Sequence, residues 1–261
     1  MAKYIFSCIA IWILISILGA KTLPVKQFEQ RIFELTNVQR LKYGLKALVY
    51  EDGFAALAKH HSNNMARHNF FDHKDKEGLE VGGRKDKYYP ELLSSSTGEN
   101  LAMHEISTRK YSPEDIVTGW MNSPSHRENI LTPEYTHLGV GVVLMGAKLY
   151  STQNFGVAIV KLKSAMPISF TQKNRYVLEY EYLSPESRGD FKASLKLPDP
   201  KTRVMLTERS YVLGYVPVKL NWKNWGEFSV VLDFKYGKGT YELNYGWGDQ
   251  YFDRCYVFKV K

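Results

Sequence analysis

Four segments of the first half carry side chains able to do chemistry. They are Phe71-Asp72-His73, Gly98-Glu99-Asn100-Leu101-Ala102, the run from Trp120 through Ser123-Pro124-Ser125-His126-Arg127-Glu128 to Leu131, and Leu138-Gly139-Val140-Gly141-Val142. Imidazoles and carboxylates are the groups that ligate divalent metals or move protons near neutral pH. Two pairs imitate a nucleophile with its base. His61 and Ser62 are neighbours on a helical stretch, where consecutive residues do not face each other, and Ser125-His126 lacks an acidic partner or a strained nucleophile turn. Packing, surface or capping roles account for them. In the second half, Arg188-Gly189-Asp190 has ordinary turn chemistry. Trp222, Trp225, Tyr241, Tyr245 and Trp247 form either a packed core or a stacking face for sugar or protein. Of these, Trp222 and Trp225 lie in an Asn/Gly-rich stretch and are the better candidates for exposure.

These residues need elements to position them. Phe28, Ile32, Leu35, Val38 and Leu41 recur at three and four residues, which predicts an amphipathic helix from Val25 to Gly44. A second helix fits Asp52 to His68, with Phe54, Leu57, Ala58, His61 and Met65 on one face. Asn69 to Thr97 shows no sustained period and reads as a long loop. Ser112-Pro113-Glu114-Asp115 supplies a cap, a proline at the first helical position and acidic residues in the first turn, so a helix runs on through Trp120. Ser123-Pro124 repeats the device for a short helix to Leu131. Leu138 to Leu144, Leu149 to Asn154 and Phe155 to Leu162 read as strands. After Pro167 the period becomes two, as in Tyr176, Leu178, Tyr180, Tyr182 and in Phe228, Val230, Leu232, Phe234, which predicts an antiparallel β-sandwich. The expected organisation is α+β: a signal peptide over residues 1–20, a mixed domain over residues 25–164 and an all-β antiparallel sandwich domain over residues 168–261.

In order and separation the four segments resemble the CAP superfamily of cysteine-rich secretory proteins, antigen 5 and pathogenesis-related proteins, in its bacterial SCP-like branch, over about residues 28–162. Thr152-Gln153-Asn154-Phe155-Gly156 matches a late strand of those members. The resemblance implies an α-β-α sandwich, with helices on both sides of a central antiparallel sheet, and a cleft where two histidines and a glutamate converge. Carried onto this chain, His73 and His126 are the candidate ligands of Zn²⁺ or another divalent cation. Glu99 is the candidate catalytic residue, orienting a metal-bound water or acting as general base. Asn100, Trp120, Ser123 and Glu128 belong to the same binding cleft. The family usually places a second glutamate three residues past the tryptophan, and here that position is Ser123, with Glu128 or His137 as the available substitutes. The loss of that carboxylate moves the expected function away from an enzyme. The favoured reading is a non-catalytic or weakly active binding module for a lipid or sterol, an envelope polymer, or a host or partner protein. A metal-dependent hydrolase using His73, His126 and Glu99 is the competing class, and an adhesive or structural role of the sandwich is a third.

Charge and cysteine narrow the setting. Net charge is +8, but the excess is spread over both halves, 19 basic against 16 acidic residues from Lys21 to Ser164 and 15 against 11 thereafter. Without a clustered basic stripe, nucleic acid is not an expected partner. Lys3, an apolar run from Tyr4 to Leu18, and Gly19-Ala20 have the order of a secretory signal peptide cleaved after Ala20. No later stretch reaches the length of a membrane span. Cys8 falls inside the leader, so Cys255 is the only cysteine expected in the mature chain, and stability must come from packed cores. The expected location is secreted or within the cell envelope.

Overall fold

The computed structural model describes residues 24–106, 111–248 and 250–261; the expected signal peptide lies outside them. The first half alternates helices and strands: α1 (Val25–Lys42), β1 (Val49–Tyr50), α2 (Asp52–His68), α3 (Val81–Tyr88), β2 (Leu92–Glu105), α4 (Pro113–Asn122), α5 (Pro124–Leu131), β3 (His137–Met145) and β4 (Lys148–Leu162). β3 and β4 form an antiparallel hairpin, β2 pairs antiparallel with the other edge of β4, and β1 adds parallel to β3. Helices cover both faces of this sheet. Phe28 and Ile32 of α1, Ile116, Val117 and Trp120 of α4 and Ile130 of α5 pack on Leu138, Val140 and Val142. On the opposite face, Met65 and Ala66 of α2 pack on Leu101, Val143 and Tyr150, and Phe54 and Leu57 pack on Leu92 and Ala158. The fold is therefore α+β, with an α-β-α sandwich at its N-terminal end.

Local chemistry explains the ends of these helices. Ser112 and Asp115 form a reciprocal capping box at the start of α4, with Pro113 in its first turn. At the end of α5, the buried guanidinium of Arg40 donates to the carbonyls of Ile130 and Thr132, both at 2.8 Å, and to Lys46 O at 2.9 Å. Three carbonyls thus satisfy a buried cation, two of them at the negative end of a helix.

The alternating glycines of β3 have a steric cause. A Cβ on Gly139 would lie 1.9 Å from Ala55 N, and one on Gly141 would lie 2.1 Å from Lys59 N. The backbone of α2 therefore sits directly on β3, while Leu138, Val140 and Val142 point to the other layer.

Three sequence expectations are corrected. The buried stripe of α1 is Phe28, Ile32, Thr36 and Arg40, and the apolar Val38 and Leu41 are 42% and 60% exposed. The stretch from Asn69 to Thr97 is not a continuous loop, since it contains α3 and the first residues of β2. Leu149 to Leu162 is one strand rather than two, because Phe155-Gly156 continues the pairing with β3 without a turn.

The second half contains β5 (Arg175–Tyr182), a 3₁₀ turn (Arg188–Asp190), β6 (Phe191–Lys196), β7 (Arg203–Met205), β8 (Tyr211–Leu213), β9 (Tyr215–Val218), β10 (Asn221–Trp222), β11 (Glu227–Asp233), β12 (Gly239–Trp247) and β13 (Gln250–Val260). Val160, Lys161 and Leu162 of β4 pair with Tyr182, Glu181 and Tyr180 of β5, so the first sheet continues through β5 into β11 and β10. A four-stranded sheet in the order β13-β12-β6-β9 faces this extension. The core between them gathers Leu178, Tyr180, Phe228 and Val230 from one layer and Leu195, Leu243, Tyr245 and Phe258 from the other, together with Ile159 and Leu162 of β4. Tyr256 donates its hydroxyl to Glu91 O at 2.7 Å, adding a polar tie between the halves.

Close approach of α2 and β3 makes a sharp prediction. Gly141→Ala is expected to cost at least about 2 kcal/mol in urea denaturation, because the new methyl meets helix backbone rather than a movable side chain.

Candidate functional site

The site begins with a buried acid. Glu99 lies in β2 opposite Asn154 of β4, which places its carboxylate beneath α2, with the side chain only 3% exposed. An isolated carboxylate at such a position is costly, so its oxygens need donors. His73 Nδ1 bonds Oε1 at 2.9 Å, and Arg84 forms a short ion pair with Oε2. The Asn154 amide, oriented to satisfy both its ends, donates to Oε2 at 3.1 Å. His61 Nε2 lies 4.0 Å from Oε1 and is held at 2.9 Å from the carbonyl of Asp72.

The same contacts shape the segment that carries His73. Arg84, from α3, donates to the backbone carbonyls of His73 at 2.5 Å and Leu79 at 2.8 Å while pairing with Glu99. One guanidinium therefore fixes the loop, the helix and the carboxylate together. His73 itself is 55% exposed, and engagement of Nδ1 by Glu99 leaves Nε2 as its outward nitrogen.

His126 reaches the site from α5. Asn100 Nδ2 donates to His126 O at 3.0 Å and to Gln153 Oε1 at 3.1 Å, while Asn129 Nδ2 donates to Glu99 O at 3.1 Å and Asn100 Oδ1 at 2.9 Å. This ladder locks α5 against β2. The hydrogen bond to Glu99 raises the His73 pKa, whereas burial lowers that of His126, aided by the charge of His73. One imidazole thus holds its proton more tightly than free histidine and its neighbour less tightly.

The structure separates the expected cleft residues into exposed and supporting groups. His73 and His126 are accessible, and Ser123 is half-buried at the junction of α4 and α5. Glu128 is exposed on α5. Trp120 and Asn100 do not line the cleft as expected: both are buried, and Trp120 donates its indole N–H to Leu101 O at 2.9 Å. His137 does not replace the missing carboxylate, because its ring is buried at the start of β3 and bonds Thr136 Oγ1 at 2.7 Å.

Sequence reasoning misses Arg84 and His61 as members of the site. Arg84 comes after Gly82-Gly83 in a stretch that reads as loop, and His61 reads as packing on α2. The available signal is the demand of a buried glutamate for a cation.

His73 and His126 supply two of the three protein ligands that a catalytic zinc centre uses. Among the described residues no three His, Cys, Asp or Glu side chains are arranged to hold a metal ion. Glu99 spends both oxygens on His73, Arg84 and Asn154, so no metal-bound water is derived from it. The site therefore offers a pair of imidazoles, one of them fixed on an ion pair, suited to donating and accepting hydrogen bonds.

This geometry has two measurable consequences. Arg84→Met is expected to cost about 3–5 kcal/mol in denaturant unfolding by stranding a buried carboxylate, and adding Glu99→Gln should recover part of that loss. In an NMR titration His73 should hold its proton to a higher pH than His126, and Glu99→Gln should lower the His73 midpoint toward the ordinary imidazole value of about 6.5.

The profile described as "CAP: Cysteine-rich secretory protein family" matches residues 33–157. The uncharacterised protein YkwD of Bacillus subtilis is 38% identical over 124 residues, covering 47% of this chain and 45% of that protein. The uncharacterised membrane protein YlbC of the same organism is 37% identical over 127 residues, covering 49% of this chain and 34% of that protein. The chain thus spans less than half the length of these two relatives. Among solved structures, an extracellular protein containing an SCP domain from Bacillus anthracis is 32% identical, with a TM-score of 0.44, covering 50% of this chain and 40% of that one. Residues 33–157 of this chain are therefore a domain of the cysteine-rich secretory protein, or CAP, family.

Proposed function

We propose that this protein is an exported binding module whose CAP domain holds its ligand by hydrogen bonding to His73 and His126 and does not hydrolyse it. The observation that carries this reading is the engagement of both Glu99 oxygens by groups of the protein. A general base needs an oxygen directed at substrate or water, whereas both Glu99 oxygens face partners within the protein. Glu99 and Arg84 form a rigid base, and His73 and His126 present the polar groups above it. The ligand classes that suit such a module are an envelope polymer, a lipid or a partner protein.

Export is supported by the leader-like run over residues 1–20. No helix among the described residues is long and apolar enough to cross a membrane. Fractionation with N-terminal sequencing tests this part, and a mature terminus at Lys21 is the expected result.

The binding reading is tested by co-sedimentation of purified protein with cell-wall sacculi and with lipid vesicles, alongside ester, phosphate-ester and peptide hydrolysis assays. The expected result is retention on one of the two surfaces, reduced at least about tenfold in His73→Ala/His126→Ala, with no turnover. Turnover that vanishes in a folded Glu99→Gln variant would replace this reading with that of a hydrolase. Zinc calorimetry on the same proteins should show no tight site that the double variant removes.

A further inference from the structure

The second half carries a site that the CAP cleft does not use. Trp225 is 81% exposed at the tip of the hairpin joining β10 and β11. An indole so placed is ordinarily mobile, yet this one is braced. The guanidinium carbon of Arg188 lies 3.9 Å from the Trp225 ring centroid and 4.9 Å from that of Trp222. Arg188 Nη1 also donates to Asn224 O at 2.8 Å, which ties the cation to the hairpin backbone. The turn is stiffened further by Gly226 N donating to Asn224 Oδ1 at 2.8 Å and Asn224 Nδ2 donating to Glu227 Oε2 at 3.0 Å. Beneath it, Trp247 donates its indole N–H to Ser187 O at 2.9 Å, anchoring the 3₁₀ turn from which Arg188 projects. Arg188 of the Arg-Gly-Asp run is thus held against the β10–β11 hairpin.

Beside this hairpin runs an open groove of about 300 Å³. Its walls include Trp222, Leu220, Pro217 and Tyr251, its charged lining is Arg188 and Lys192 with no carboxylate, and Trp225 stands outside the walls, bordering the groove through Arg188. Aromatic rings next to two cations in an open groove suit a ligand with an apolar face and a negative charge.

We propose that this groove binds an acidic glycan. The apolar C–H face of a pyranose stacks on an indole or phenol ring, whose electron-rich face attracts polarised hydrogens. The ring's carboxylate then meets Arg188 and Lys192, where no acidic lining residue opposes it. Bracing of Trp225 removes the ordering cost that a free surface tryptophan would impose on binding. A lipid chain is disfavoured because the groove is open and rimmed by cations. Single-stranded nucleic acid stacks on aromatics too, but it needs a basic track along several phosphates. Here the hairpin's own Lys223 is spent on Glu179. The site is independent of the imidazole cleft, so each assignment can fail without the other.

The test is calorimetric titration of the purified protein with oligogalacturonate, neutral cellopentaose and oligo(dT). The expected result is salt-sensitive binding of oligogalacturonate, weakened about tenfold or more in Trp225→Ala, largely kept in Trp225→Phe, and weakened in Lys192→Met. Trp225 is exposed, so all variants should retain the wild-type melting temperature. Undiminished binding by Trp225→Ala, equal binding of cellopentaose, tighter binding of oligo(dT), or no binding of oligogalacturonate would each overturn the proposal.

Discussion

Burial of the Glu99 carboxylate is the constraint around which the CAP domain is arranged. Removing such a group from water is tolerable only when each oxygen meets a donor, and these donors come from separate parts of the chain. His73 arrives from the segment after α2, Arg84 from α3 and Asn154 from β4. Satisfying one charge therefore positions three elements, and the carbonyls held by Arg84 fix the loop between two of them. Both Glu99 oxygens are engaged within the protein, and one of them holds the His73 imidazole in place.

A second constraint links the CAP domain to the β-sandwich. β4 is long enough to pair with β3 along most of its length and still offer Val160 to Leu162 to β5. One sheet thus runs from the helical layers into the all-β half, and the core of the latter includes Ile159 and Leu162 of the former. Where a sheet and a core are shared, a change in either half is felt mechanically in the other. The imidazole cleft and the groove beside the β10–β11 hairpin nevertheless lie on different elements and present different side-chain chemistry.

Much of the fold is legible in the sequence because its signals are local. The helix starts at Ser112-Pro113 and Ser123-Pro124 come from capping chemistry, and the inward face of α2 comes from its period. The alternating aromatics of β5, β11 and β12 similarly announce a two-layered core. α1 is less legible. Its apolar period points to Val38 and Leu41, but the surface it meets accepts Thr36 and Arg40 instead, since Arg40 satisfies carbonyls at the end of α5 and in the loops beside it. α3 is hidden by Gly82-Gly83, which weaken its propensity, while tertiary contacts of Arg84 and Lys85 hold it.

The sequence by itself determined most of the element types, though not α3, together with the segments bearing His73, Glu99 and His126 and the absence of a second glutamate at Ser123, because these reside in residue identity and short-range spacing. Only the tertiary structure decided that Glu99 faces Arg84, that Asn100 and Trp120 support the cleft from beneath, and that Arg188 folds under Trp225. Each of those outcomes depends on which distant groups share a buried volume. A guanidinium or a carboxylate carries the same charge wherever it stands in the chain, and its partner is chosen by packing.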